Sequence, residues 1–577
     1  MEAVPKVTRE ISKTSAKEQY SSFEWEWLRF EDSVTILACR ERTVRLSLDN
    51  GENWRTTLKI EEDIEQVIPD EFHGRNRAFV EDVVGHLYVT ESQGREWRQI
   101  QKPLEVEKAY PNILKTHPLE KNYLLLDLHV PVKYGNFNRE REDRMYISED
   151  CGRSFKRIFA PVEDNNLTQD DARHGTDCWF AVSSCNSTLS RDLIYGLHSI
   201  TTTDEQGFMI SENNTFFYSS DLGKTTKLVE EFSALSVSDL QIFSSGVLVT
   251  TAEENYNKIP TEKLWVSTGG PFKEAILPVE LKHTSFGKGF ENNFGRVLLP
   301  VYTAETGRQG KLVHLLIWNF LTFRLSHFDS ILLNPTGSLT IKKFGNCSRT
   351  LWGQLFDVFP QDKQAQKCLS MLICDNKTTC RKGFLKYVNV ISFNSGDTWS
   401  KPKLTDPSNK YKHLIKCDTN DLENCSLHIF HYTHSEKNKS MENVIMAKGA
   451  VLHSNPKFDE NRCMTFISRD GGANWELAFE FPAYSVFANV GNIIVAIPQQ
   501  QKEFEKFCIT KILFSLDQGK TWGHCDIGEP VVAGELELDT SNSSVIVKFN
   551  RLIDANDFDR YNSVLCTLDF SQLLSVQ

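Results

Sequence analysis

The chain has 577 residues, 40% hydrophobic and 25% charged, with a formal net charge of −12. That length exceeds one ordinary domain, so the chain is either multidomain or built from a repeat that keeps adding units. Acids and bases are interspersed, which excludes a phosphate-neutralising surface and so nucleic acid as a partner, and no apolar run is long enough for a membrane-spanning helix.

The amino terminus, MEAVPKVTRE, has neither the basic nor the apolar region of a signal peptide. The 14 cysteines include no Cys-x-x-Cys pair, which turns the reading from zinc ribbons and redox pairs toward disulfides. Sequons begin at Asn166, Asn186, Asn213, Asn346, Asn376, Asn424, Asn438 and Asn542, in keeping with secretory exposure. An excised or truncated lumenal fragment reconciles these signs; reduced cysteines in a cytosolic protein are the alternative.

Along the chain one short pattern recurs. Residues 47–54, SLDNGENW, place Ser47, Asp49, Gly51 and Trp54 at fixed offsets. Residues 90–97, TESQGREW, keep Gly94 and Trp97 with Ser92 in place of the acid. A nearly continuous apolar run at 123–130 reads as a buried strand, and residues 148–155, SEDCGRSF, bring Ser148, Asp150, Gly152 and Phe155. Residues 219–226, SSDLGKTT, carry Asp221 and Gly223, with Thr226 replacing the aromatic. A buried strand at 247–251 precedes a weaker echo, STGGPF, at 267–272. Clean copies return at 392–399 (Asn394, Gly396, Trp399), 468–475 (Asp470, Gly472, Trp475) and 515–522 (Asp517, Gly519, Trp522), with buried strands at 493–497 and 545–549.

The pattern has the chemistry of a hairpin turn. Gly supplies a positive φ, the Asp or Asn oxygen accepts from turn N–H groups two or three residues on, and the aromatic opens the next strand and packs between sheets. The acids are therefore turn staples rather than catalysts. Boxes 43 residues apart (Gly51 to Gly94) or 47 apart (Gly472 to Gly519) match a four-stranded propeller blade. The sequence thus predicts an all-β fold, one β-propeller of about ten blades over residues 1–577, with boxes lost between 272 and 392.

Such Asp-boxes occur in sialidases, other glycoside hydrolases and sortilins. CDTNDLENCSLHI from Cys417, NVIMAKGAVLH from Asn443, GNIIVAIP from Gly491 and YNSVLCTLDFSQLL from Tyr561 resemble the last blades of sortilin-family propellers, and THPLEKNY and LYVTESQGREW resemble the fungal vacuolar carboxypeptidase Y receptor branch. The resemblance covers essentially the whole chain. It implies a Cys417–Cys425 disulfide, no cofactor, and the lumenal part of a Golgi and endosome receptor for soluble vacuolar or lysosomal hydrolase precursors or peptides. Family members continue into a cysteine-rich module, a membrane helix and a sorting tail; the expectation here is a chain lacking all three and a signal peptide, attached to membrane only through segments absent from it. Without them it would be secreted or mislocalised, a truncated soluble receptor remnant. Animal members grip a peptide carboxylate with an inner-strand Arg, and the segment that looks equivalent, Phe243 to Val249, contains none.

A sialidase-type hydrolase is the rival reading. It needs an arginine cluster and an acid/base with a Tyr–Glu nucleophile pair; the nearest arginines, Arg75 and Arg77, read as solvated strand-loop surface. Cys425, His428, His431 and His434 invite a metal reading, but on a strand His431 would face away from His428 and His434. Spacing suggests Cys178 with Cys185, Cys368 or Cys374 with Cys380, and Cys508 with Cys525 as disulfides, whereas Cys39, Cys151, Cys463 and Cys566 read equally as buried apolar groups. The 15 histidines suggest acid-dependent cargo release.

Overall fold

The structure is a computed structural model that describes residues 5–11, 26–31, 33–103, 106, 109–134, 137–161, 172–203, 209–232, 235–252, 262–278, 284–292, 294–303, 312–319, 322–328, 339–343, 351–358, 385–406, 412–415, 418–419, 426–432, 444–452, 463–489, 492–498, 508–532, 538–540, 543–554 and 557–574. Its regular structure is almost entirely antiparallel strand. The strands fall into successive up-and-down units, and the first two show the plan: Glu26–Arg29, Ile36–Arg40, Thr43–Ser47 and Arg55–Lys59, then Ile64–Pro69, Ala78–Asp82, Leu87–Thr90 and Arg98–Gln99, each pairing with the next. Further units occupy 110–157, 172–228, 236–274, 284–325, 339–400, 426–479 and 483–532.

Within a unit, sequence sets depth. Second strands are the apolar runs: Ala78–Asp82 is buried at every position, as are the first five residues of Ile493–Pro498. Sheets cover both their faces, so alternation is unnecessary. Fourth strands such as Arg55–Lys59 are polar and largely exposed. The longest apolar stretch, 312–323, is no span but a hairpin, Leu312–Asn319 against Thr322–Leu325. Among the described residues no helix is long and apolar enough to cross a membrane.

Two devices join the units. Chain leaving one unit pairs in parallel with the fourth strand of the next: Ile276 with Thr322, His327–Phe328 with Thr398–Trp399, and Lys403–Leu404 with Asn474–Trp475. The ends of the chain also meet, because Lys6–Ile11 supplies an outer strand to Asp557–Asp569, Lys6 opposite Asp569 through Ile11 opposite Val564. Arg29 of the first complete unit donates to the carbonyl and hydroxyl of Ser544 at 3.2 and 2.9 Å, and that hydroxyl also donates to Asn50 at 3.2 Å. The amino-terminal strand thus completes the last unit, a closure of the ring that leaves only short, protected edges. The fold is an all-β propeller.

Candidate functional site

The boxes lie where the third strand of a unit turns into the fourth, and one geometry repeats in them. At residues 47–54 the Ser47 hydroxyl donates to Asp49 at 2.8 Å and accepts from Gly51 N–H at 2.7 Å; Asp49 accepts Asn53 N–H at 2.8 Å and its side-chain amide at 2.7 Å. The first three of these bonds recur at Ser148, Ser219, Ser392, Ser468 and Ser515, with Gly N–H to hydroxyl distances of 2.7 or 2.8 Å. The acid's main partner is thus the N–H four residues on, one residue further than the two or three expected. The residue before the glycine is left-handed too, from 56° at Asn50 to 71° at Gly471. In the imperfect copies, Ser92 accepts Glu96 N–H at 2.9 Å in place of the acid, and Thr226, lacking a ring, donates to the carbonyl of Phe159 at 2.8 Å.

The aromatics seal these turns. Trp54, Trp97 and Trp475 donate their indole N–H to the box glycine carbonyl at 3.0, 3.1 and 2.7 Å, whereas Trp399 donates to Ser326 at 2.9 Å. Trp399 and Trp475 are fully buried; Phe155 and Trp522 are half-buried at cluster margins. The hydrogen bonds hold Asp150, Asp470, Asp517 and Asp49 below the ordinary carboxylate range despite the opposing effect of partial burial, and Asp221 falls to about 2 through the backbone and hydroxyl bonds from Thr225. Carboxylates so committed carry no proton at neutral pH, and both oxygens are engaged in their own turns.

Other sequence candidates scatter. Arg75 is exposed, but Arg77 is not solvated surface: it is buried and ion-paired to the buried Asp70, with its guanidinium also on the carbonyl of Lys121. Asp70 accepts the N–H groups of Phe72 and His73 at 3.0 Å each and the hydroxyl of Thr116 at 3.3 Å, so the pair bolts the second unit to the third. Cys178 and Cys185 are not bonded to each other; Cys178 is buried and Cys185 exposed, both free thiols, and Cys525 is free as well, which rules out its pairing with Cys508. Cys39 and Cys151 are buried free thiols, and Cys566 is buried in the core of the last unit. Cys417 and Cys425 lie outside the described residues, with Cys368, Cys374, Cys380 and His434. His428 and His431 lie on Ser426–Tyr432, where a register shift between Ile429 and His431 breaks the regular alternation assumed for them. Among the described residues no group of three or more His, Cys, Asp or Glu is arranged to hold a metal. Of the sequons, Asn186 is exposed in a turn and Asn213 lies within Met209–Ser219 opposite Ile200; the other six asparagines lie outside the described residues.

Two constellations were not legible from the sequence. Asp127 is buried, accepts from the Asn112 side chain at 2.7 Å, and neighbours His129, Asp143 and Asp177. Burial first, then the two acids, push it up to about 6 against the opposing effects of Asn112 and His129. Nearby, Lys115 binds Asp177 at 2.6 Å and lies 4.5 Å from the Trp179 ring centre. The second is a depression of about 340 Å³ bordered by Ser245, Phe294, Arg296, Trp318, Asn319 and Arg324. Their separation in sequence hides both.

What the fold and these sites define is a closed Asp-box propeller whose repeated acids serve structure. The family model for sortilin and Vps10 (sortilin, neurotensin receptor 3) matches residues 42–317 and 373–536. The chain is 32% identical over 569 residues to the vacuolar protein sorting/targeting protein 10 of Zygosaccharomyces rouxii, covering 94% of this chain and 34% of that protein. It is 29% identical over 573 residues to the vacuolar protein sorting/targeting protein PEP1 of Saccharomyces cerevisiae, with the same two coverages. A GH74 enzyme of Niastella koreensis aligns at 12% identity and a TM-score of 0.29, over 84% of this chain and 75% of that one. The chain belongs to the sortilin/Vps10 family, and it spans about a third of the length of these curated relatives. Those relatives are named as sorting proteins, not as enzymes.

Proposed function

We propose that this chain is the lumenal cargo-binding domain of a receptor that sorts proteins from the Golgi to endosomes and the vacuole, one ten-bladed propeller over residues 1–577. It binds peptide or protein ligands, soluble vacuolar hydrolase precursors among them, and catalyses nothing. The observation that carries this reading is similarity along 94% of the chain to two proteins named for vacuolar sorting. The closure of Lys6–Ile11 onto Asp557–Asp569 supports a single ring, and the bonded state of the box acids supports a non-catalytic role. The test is capture by the immobilised chain, made through a secretory pathway, of vacuolar hydrolase precursors at pH 7 and pH 5. Enrichment of a precursor at neutral pH and its loss in acid is the expected result; no captured precursor, with release of sugar from a sialyl or glucosyl reporter, would overturn it.

A further inference from the structure

In most units the box turn rests its glycine on the preceding unit: a Cβ on Gly223 would lie 2.8 Å from Ile158, and one on Gly472 2.7 Å from Ile391. The unit at 284–325 has no box. Its third strand runs to Asn319, which pairs directly with Thr322 of the fourth. No box turn therefore descends onto the unit at 236–274, and the 340 Å³ depression lies at this seam, Ser245 on one side and Phe294, Arg296, Trp318, Asn319 and Arg324 on the other. Trp318 forms its buried base and reaches the neighbouring unit at Gly246, where a Cβ would come within 3.0 Å of the indole.

The walls are cationic and aromatic. Arg296 is 2.9 Å from Asp397 and donates to the carbonyl of Asn394 at 3.1 Å, and Arg324 is ion-paired to the other oxygen of Asp397. One carboxylate thus holds two guanidiniums in place, and among the described residues neither has a second acid. The remaining N–H groups of both side chains, 32% and 49% exposed, are left to donate outward. Phe294, on the border of the depression, is 55% exposed. Arginine pairs beside aromatic surface are the composition of binding hot spots, and guanidinium suits a carboxylate by its fork geometry.

We infer that this seam pocket binds an acidic peptide segment of a partner protein, with a side-chain carboxylate across Arg296 and Arg324 and an adjoining apolar side chain on Phe294. A free inorganic anion would satisfy the cations but leave the exposed part of Phe294 uncovered. The inference rests on the protein-binding reading above and deepens it by naming a site and a ligand chemistry.

The experiment is fluorescence anisotropy of the full chain with a labelled, amidated peptide carrying Glu-Leu-Glu, against its Gln-Leu-Gln counterpart and with inorganic phosphate as competitor. Saturable binding is expected, weakened at least about tenfold by the Gln peptide and by R296Q/R324Q, and weakened by F294A, with millimolar phosphate displacing little. Equal affinity for the two peptides, unchanged binding by R296Q/R324Q, or equal displacement by phosphate would overturn it. Should the double variant melt early, R324Q and F294A, both at exposed side chains, decide the matter by the same criteria. Precursor capture separates the two readings: Arg-independent capture removes the pocket and leaves the receptor, whereas Arg-dependent peptide binding without any precursor capture removes the receptor and leaves the pocket.

Discussion

Gly94 sits so tightly over Leu37 of the preceding unit that a Cβ built on it would fall 2.3 Å from Leu37 Cδ2, and its φ is +79°. The box glycine therefore answers two demands at once, a left-handed turn and the approach of one sheet to the next. Gly94→Ala adds a strained backbone to an overpacked seam, for a loss of about 2–4 kcal/mol. Gly270→Ala, with nothing within 4 Å of its Cβ, is the control and should leave the melting temperature within about 1 °C. Denaturant unfolding of the two variants checks this, and equal losses would refute the seam argument.

The box carboxylates bear on pH. Because Asp49, Asp150, Asp221, Asp470 and Asp517 are held below their ordinary range, the stability they contribute is complete above about pH 4 and is lost as pH falls through their lowered values, about 2 at Asp221. Between pH 7 and pH 5 the boxes stay intact, so the acid release expected of the proposed cargo would not proceed by their melting. Asp517→Asn, which copies the natural Asn394 turn with its amide on Thr398 at 2.9 Å, should flatten the acid limb of the stability curve below pH 4 and leave the neutral value little changed. Thermal melts from pH 2 to pH 7 measure both limbs.

Removing Arg77 should be costly because it strands Asp70 in the interior. Arg77→Met is expected to destabilise the chain by about 3–5 kcal/mol, as is usual for breaking a buried ion pair. The double change Asp70→Asn with Arg77→Met should recover part of that loss, since the asparagine would keep an oxygen for the N–H groups of Phe72 and His73 while removing the charge. Equal stability of the single and double variants in chemical denaturation would show that the charge is not what matters.

Arg77 also marks where sequence reasoning stops. The turns were legible because each box writes the bonds of its hydroxyl and its acid within eight residues, and the buried second strands because their apolar runs are continuous. Arg77 reads as surface in the sequence because, although its ion-pair partner Asp70 is seven residues away, the groups that cover the pair, Lys121 and Cys151 among them, lie in another unit. Arg296 and Arg324 are brought together by Asp397, from a box that local reasoning treats as complete in itself. Contacts between units join residues far apart in the chain, and no local period records them. The suggested Cys178–Cys185 link fails for the same reason: one residue lies in the strand Ala172–Phe180 and the other in the turn beyond it, so nearness in sequence did not bring the sulfurs together.

Asp127 works against the boxes in a different pH window. Its carboxyl is pushed up to about 6, chiefly by burial, so the native state binds this proton more tightly than the unfolded chain does. The stability linked to it is fully present below about pH 4 and is lost as pH rises through 6, a difference of about 2–3 kcal/mol between the two limits. Asp127→Asn keeps an oxygen for the Asn112 amide and removes the charge that faces Asp143 and Asp177. The variant should therefore melt higher than the parent at pH 7.5, and the two should converge by pH 4. A constant difference across that range would mean that Asp127 does not titrate where its surroundings place it. A variant less stable at neutral pH would mean that the ionised carboxylate is itself bonded well enough to outweigh its burial.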